Sequence, residues 1–253
     1  MVGVSRVFLL IAMFFSGTVL SNSWDDISNK KVLFSGEKIK LVRVHESALY
    51  VVVGNKLLYL RTIESKPDDI TSLYGIKSAS DISDIKFNLE NNKMWITLNG
   101  NEYHAKCFEN KRIFNIYNYV RECKDKSPIT YWEGIYPESK KMGGVMAQDY
   151  DEESSTFVIS VFKGGTFYFN DENPSGKVLW NPKNYYDWSK DVAVSTKYAF
   201  SIGERKSLIV RSLVDNKVIR YSSKNRIRTL DSNDVNLFIG SKGLHIIDLR
   251  KLL

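Results

Sequence analysis

Cysteine, histidine and proline are scarce in this chain, with two, three and five among 253 residues. Two cysteines exclude a disulfide-knotted miniature fold and any Cys-rich zinc module. The three histidines, His45, His104 and His245, stand far apart without ligand-spaced neighbours, so no metal and no other cofactor is expected. No Ser-His-Asp order, phosphate-cradling glycine loop or Cys-Xaa-Xaa-Cys motif occurs, and the chain is not expected to be an enzyme. The Asn-x-Ser/Thr sequon is missing too, because Asn173-Pro174-Ser175 is disqualified by its proline. Charge of one sign is not strongly in excess: the formal net charge is +7, which admits acidic partners but is no nucleic-acid signature. At 43% apolar and 26% charged, the composition is that of a folded globular chain.

The N-terminus carries the one apolar run. Arg6 precedes Val7-Phe8-Leu9-Leu10-Ile11-Ala12-Met13-Phe14-Phe15, and Ser16 to Ser21 turns small and polar. The run is about half of the ~20 apolar residues a membrane crossing needs. Val19 and Ser21 fit the small-residue rule for cleavage, so residues 1–21 read as a signal peptide and 22–253 as one secreted domain. Loss of Arg6 leaves that domain at +6. In an oxidising compartment Cys107 and Cys123 are expected to pair.

Helical periodicity is almost absent downstream of the leader. Apolar and polar residues alternate instead, in short runs rich in Val, Ile, Tyr, Phe and Thr, bounded by Gly, Asn, Asp and Ser. One pattern recurs: a β-rich run, a glycine, a few turn residues, and a second β-rich run. It is found around Gly54, Gly100, Gly164, Gly203 and Gly240, at spacings of 46, 64, 39 and 37. Such periods in an all-β chain are those of propeller blades, each of which must bury its faces against neighbours. The glycines are expected where the central hairpins reverse with positive φ. An inner strand precedes each copy, at 39–44, 84–88, 144–148, 191–195 and 227–230, and 31–34 is expected to pair with the last repeat. Val52, Leu58, Ile96, Phe157, Ile209 and Ile239 should then be buried.

Leu49-Tyr50-Val51-Val52-Val53-Gly54-Asn55-Lys56-Leu57-Leu58-Tyr59-Leu60 resembles the first-blade signature of sema domains, the propellers of semaphorins and plexins. Gly100 with His104-Ala105-Lys106-Cys107, Cys123 with Ser127-Pro128, and Leu179-Trp180-Asn181-Pro182 are similar to later landmarks in the same order. The resemblance implies an all-β, sema-type β-propeller with about five recognisable blades. It also implies a protein-binding role, with a plexin-type receptor ectodomain as partner and homodimerisation. The chain departs from the family in length, about half of a sema domain, and in lacking a second disulfide and the cysteine-rich module that follows. The alternative from another class is a five-bladed propeller that binds or hydrolyses carbohydrate, for which Asp84, Asp149, Asp191 and Asp234 near the inner strands supply carboxylates.

Two surface regions stand out as binding candidates. The irregular insert from Asn110 to Lys141 offers Arg112, Tyr117, Tyr119, Tyr131 and Trp132, residue types that dominate interface hot spots. The fourth repeat crowds Arg205, Lys206, Arg211, Lys217, Arg220, Lys224, Arg226 and Arg228 against Glu204 and Asp215 alone. These residues read either as charge that blunts strand edges or as a patch for a sulfated glycan or an acidic protein face.

Overall fold

The computed structural model describes residues 20–23, 27, 30–88, 93–98, 104–109, 121–122, 144–182 and 189–252, with the side chains of 20–22, 88, 93, 95, 104–109 and 121–122 excepted. Among them every regular element is a strand or a single 3-10 turn, as the alternating pattern requires. In chain order they begin with β1 (Leu20–Ser23), β2 (Lys30–His45), β3 (Ala48–Val53), β4 (Lys56–Leu60) and β5 (Asp68–Asp69). Next come β6 (Ile82–Asn88), β7 (Lys93–Leu98), β8 (His104–Glu109) and β9 (Arg121–Glu122). Then follow β10 (Val145–Asp151), β11 (Thr156–Val161), β12 (Gly165–Phe169) and β13 (Lys177–Trp180). The last are β14 (Val192–Ser195), β15 (Tyr198–Gly203), β16 (Ser207–Ser212), β17 (Val218–Ser222), β18 (Thr229–Ser232) and β19 (Asn236–Asp248).

These strands form four sheets, ordered β6-β7-β8-β9, β10-β11-β12-β13, β1-β17-β16-β15-β14 and β18-β19-β2-β3-β4-β5. All pairings are antiparallel except β1 with β17, which run parallel from Leu20↔Ile219 to Ser23↔Ser222. None of the sheets closes on itself, and no radial closure of a propeller is found among the described residues. The expected five-bladed sema-type propeller is therefore corrected to an all-β domain of four open sheets. The physical reason lies in two long strands. β19 pairs β18 through its first half and β2 through its second, with a register shift between Lys242 and Leu244. β2 in turn leaves β19 and pairs β3 from Ile39 onward. The first and fifth repeats thereby share one six-stranded sheet. Pairing of 31–34 with the last repeat is present, as Lys31↔Ile246, Val32↔His245 and Leu33↔Leu244, and it is what joins the two.

The recurring glycines serve different ends. Gly54 has φ +55 and makes the β3–β4 turn, as expected. Gly240 has no such conformation and lies within β19, not at a reversal. A Cβ there would meet Thr229 Cγ2 at 2.4 Å and Ile39 Cγ2 at 2.8 Å, so the glycine permits close approach of two strands. At the β15–β16 turn the left-handed residues are Glu204 (φ 46) and Arg205 (φ 62), next to Gly203. Gly100 lies outside the described residues.

The core lies between neighbouring sheets. Val158, Tyr168 and Leu179 meet Val192, Val194 and Ala199, joining the β10–β13 sheet to the β14–β17 sheet. Phe200, Leu208, Val210 and Ile219 meet Leu230, Leu237 and Ile247 across the next junction. Tyr50, Val52 and Leu57 meet Ile82, Ile85 and Ile96 across a third. Val52, Leu58, Ile96, Phe157, Ile209 and Ile239 are all buried. β11 is buried at each of its six positions, the pattern of a strand covered on both faces. Among the described residues no helix is long and apolar enough to cross a membrane.

Candidate functional site

The first strands of the repeats, β6, β2, β18, β14 and β10, pack side by side in that order, and a polar cleft of about 250 Å3 opens at their later residues. Arg43 on β2 stands at its floor. The guanidinium forms a two-pronged bond to Asp191, just before β14, with Nη1 to Oδ2 at 2.9 Å and Nη2 to Oδ1 at 3.2 Å. Its Nε donates to Asp84 on β6 at 3.0 Å, and Nη1 donates to the carbonyls of Val42 and Leu230, each at 2.9 Å. One side chain thus touches three sheets. A planar guanidinium supplies five fixed donors, which a lysine cannot match.

Around Arg43, each carboxylate ties its own strand to the next. Asp191 accepts from Leu230 N at 2.9 Å and from Thr229 Oγ1 at 2.7 Å, linking β14 to β18. Asp231 accepts from Val44 N at 2.6 Å, linking β18 to β2. Asp149 accepts from Val194 N at 2.8 Å, linking β10 to β14. Ser232 Oγ adds a bond to Val194 O at 2.8 Å. Neighbouring strands of different sheets have no ladder between them, so their backbone groups need side-chain partners. Aspartate supplies them: it is short, accepts several N–H bonds, and in this fold also neutralises the arginine.

Carboxylates outnumber cations in the cleft, where Asp84, Asp149, Asp151, Asp231, Asp234 and Glu46 face Arg43, Lys86 and His45. Burial pushes the Asp149 carboxyl up to about 7, against the N–H bonds of Val194 and Tyr150 and the charge of Arg43. Burial, then the charge of Asp149, raises Asp231 well above the ordinary carboxylate range. In both, burial is the larger cause and outweighs the nearby charge of Arg43. Burial opposes the charge on Arg43, but Asp191, Asp84 and Asp231 outweigh it and hold its proton well above the usual value. Lys86 is lowered by burial, opposed by Asp84 at 3.7 Å. His45, lowered by burial, stacks on Phe87 with ring centres 4.6 Å apart.

Asp84, Asp149 and Asp191, named in the sequence as acids near inner strands, do converge here. Arg43 and Asp231, the residues that organise the site, were missed. The available signal was a charged residue in or next to each short inner strand, Leu41-Val42-Arg43-Val44 above all. Asp234 lies at the rim, where Thr196 Oγ1 donates to it at 2.6 Å. The candidate anchors Arg112, Tyr117, Tyr119, Tyr131 and Trp132 lie outside the described residues, as do Cys123 and the side chain of His104. Cys107 stands in β8 opposite Arg121, and its side chain and Cys123 lie outside the described residues, as does the expected Cys107–Cys123 bond.

The basic residues of the fourth repeat divide. Arg211 lies over the Tyr168 ring at 5.5 Å and donates to Val178 O at 3.3 Å, while Lys217 follows it at the far turn beside Asp215. Arg220 is neutralised by Glu204 at 2.5 Å. Lys224 is exposed, and Lys206 lies in the β15–β16 turn. Arg205, Arg226 and Arg228 come together, and Lys190, absent from the sequence reading, joins them.

No protein-family model matches the chain, and no curated protein matches it. Among solved structures, it is similar over 88% of its length to PorZ, an essential bacterial surface component of the type-IX secretion system of Porphyromonas gingivalis. The identity is 8% and the TM-score 0.47, and the chain spans 38% of that protein. Over 87% of its length it is similar to the AfRom2 CNH domain, at 13% identity and a TM-score of 0.46, spanning 99% of that domain. Membership of the sema family is corrected, since no family model matches the chain and its strands form four open sheets. The plexin-ligand reading falls with it, as does the carbohydrate alternative that rested on a five-bladed ring.

Proposed function

We propose that this protein is a rigid β scaffold that works by binding, and that its acidic cleft is architectural rather than catalytic. One observation carries the reading: Asp149, Asp191 and Asp231 each accept a backbone N–H from the neighbouring first strand, between sheets for Asp149 and Asp191 and within the six-stranded sheet for Asp231. A general acid or nucleophile needs an oxygen facing substrate at hydrogen-bond distance, whereas these oxygens are engaged in holding the fold. Recognition then belongs to the outer surface. The proposal places the domain in the secretory pathway, on the strength of Arg6 and the apolar run Val7 to Phe15.

The test is a panel of activated esters, phosphoesters and glycosides incubated with the full-length protein and with Asp149→Asn. No turnover above background is expected from either. A hydrolysis that Asp149→Asn abolishes while its Tm stays within a degree of the parent would overturn the reading.

A further inference from the structure

At the opposite ends of β14 and β18 from the cleft, two turns bring cations together. In Ser189-Lys190-Asp191 the serine and aspartate are buried, and Lys190 is exposed between them. In Arg226-Ile227-Arg228, Ile227 is buried, so the alternation of extended chain puts both arginines on the same outward side. The β15–β16 turn is tied against that segment: Ile227 N donates to Arg205 O at 2.9 Å and Ser223 N to Lys206 O at 2.7 Å. Ser241 Oγ donates to Arg226 O at 3.0 Å and Arg228 N to Gly240 O at 2.8 Å, which fixes the other edge. Arg205, Arg226 and Arg228 are therefore held on one frame of backbone hydrogen bonds, and Lys190 lies within electrostatic reach of all three.

Among the described residues no carboxylate pairs with them. Glu204, the one acid of the turn, is engaged by Arg220 at 2.5 Å, and Asp191 is engaged by Arg43. Among the described residues none of the four cations forms an ion pair. The ammonium of Lys190 is held below its ordinary value, first by burial and then by Arg226, Arg205 and Arg228. Burial and Arg226 do the same to Arg228. Arg205 is also left-handed, φ 62, a conformation that glycine adopts without cost and an arginine does not. Repulsion and strain both work against the fold here, as they do where a site is shaped for a ligand.

We propose that Lys190, Arg205, Arg226 and Arg228 form a binding site for a phosphate group, presented as a phosphomonoester or pyrophosphate. A phosphomonoester carries a charge of about −1.5 to −2 and three acceptor oxygens. That is denser than a carboxylate and matches converging guanidinium forks. The site rests on the reading of the protein as a binding scaffold and names the chemistry that scaffold recognises.

The experiment uses the full-length protein with inorganic pyrophosphate as probe, read by calorimetry and by NMR of the lysine side chains. Pyrophosphate is expected to bind, to raise Tm, to weaken as salt is added, and to move the Lys190 ammonium titration upward. Arg205→Gln with Arg226→Gln is expected to lose about tenfold or more in Kd. Lys66→Gln, in the distant β4–β5 connection, should leave Kd unchanged. Should the double variant not fold, Arg205→Gly relieves the left-handed strain: a higher Tm with weaker pyrophosphate binding supports the site. Absence of binding at millimolar pyrophosphate would overturn it, as would an unchanged Kd in the variants or equal affinity for inorganic sulfate. Such failures leave the scaffold reading intact, because that reading falls only on turnover.

Discussion

Replacing Arg43 by methionine is expected to destabilise the protein by about 3–5 kcal/mol, the range for removing one partner of a buried ion pair. The loss comes less from the missing attraction than from what remains. Asp191 and Asp84 would lie in the floor of the cleft without their cation, and the Leu230 and Val42 carbonyls would lose a donor. Methionine fills similar volume, so the packing cost is small by comparison. Arg43→Lys is expected to recover only part of the loss, since one ammonium cannot reach both Asp191 oxygens and Asp84 in the same plane. Urea unfolding monitored by tryptophan fluorescence measures both variants. A cost below about 1 kcal/mol at pH 8 would show that the carboxylates find other partners.

The second large effect concerns pH. Asp149 takes up its proton near 7 in the folded protein, against an ordinary 3.8. Between those values the folded state holds a proton that the unfolded chain has released. Stability from this group is therefore greatest at acid pH and is lost as pH rises through about 7. While one proton separates the states, the slope is about 1.4 kcal/mol per pH unit. Asp231, raised in the same direction, steepens the fall. His45 works in the opposite direction below its ordinary 6.5, because burial disfavours its charged form. Asp248, drawn down to about 2 by Arg250, acts outside this window. Asp149→Asn keeps an acceptor for Val194 N and removes the ionisation. Calorimetry from pH 5 to 8 is expected to show Tm falling less steeply in Asp149→Asn than in the parent, with the variant the more stable at pH 8. Parallel curves would mean that Asp149 titrates as an ordinary carboxylate.

Much of the architecture was legible in the chain because strand alternation is a local signal. Thr156 to Val161 and Tyr198 to Gly203 each fold as strands where the pattern put them. What misled was the assumption that each copy of a local pattern makes its own unit. Val235 to Ile247 reads like the other hairpins, yet Gly240 serves interstrand contact with Thr229 and Ile39, and the run continues as one strand. Local sequence carries no record of which distant strand lies opposite, and β19 changes partners midway. The cleft was half legible for a related reason. Asp84, Asp149 and Asp191 looked like turn residues, since aspartate favours turns in any β protein. Arg43, which both Asp84 and Asp191 bind, is 41 residues from the first and 148 from the second, and only the packing of sheets brings them together. The basic run from Arg205 to Arg228 was visible, but its division into paired and unpaired cations depends on Glu204 reaching Arg220 across a hairpin.

Amide hydrogen exchange at Val44, Val194 and Leu230 tests the central claim most directly. Their N–H groups donate to Asp231, Asp149 and Asp191 between neighbouring first strands. If the carboxylates around Arg43 hold the first strands together, these three amides exchange only with global unfolding. Their protection should then match that of core amides such as Ile159 and Val210, and all should lose protection together in Arg43→Met. Exchange of the three through local opening, at rates set by neighbouring turns and unmoved by Arg43→Met, would contradict the account.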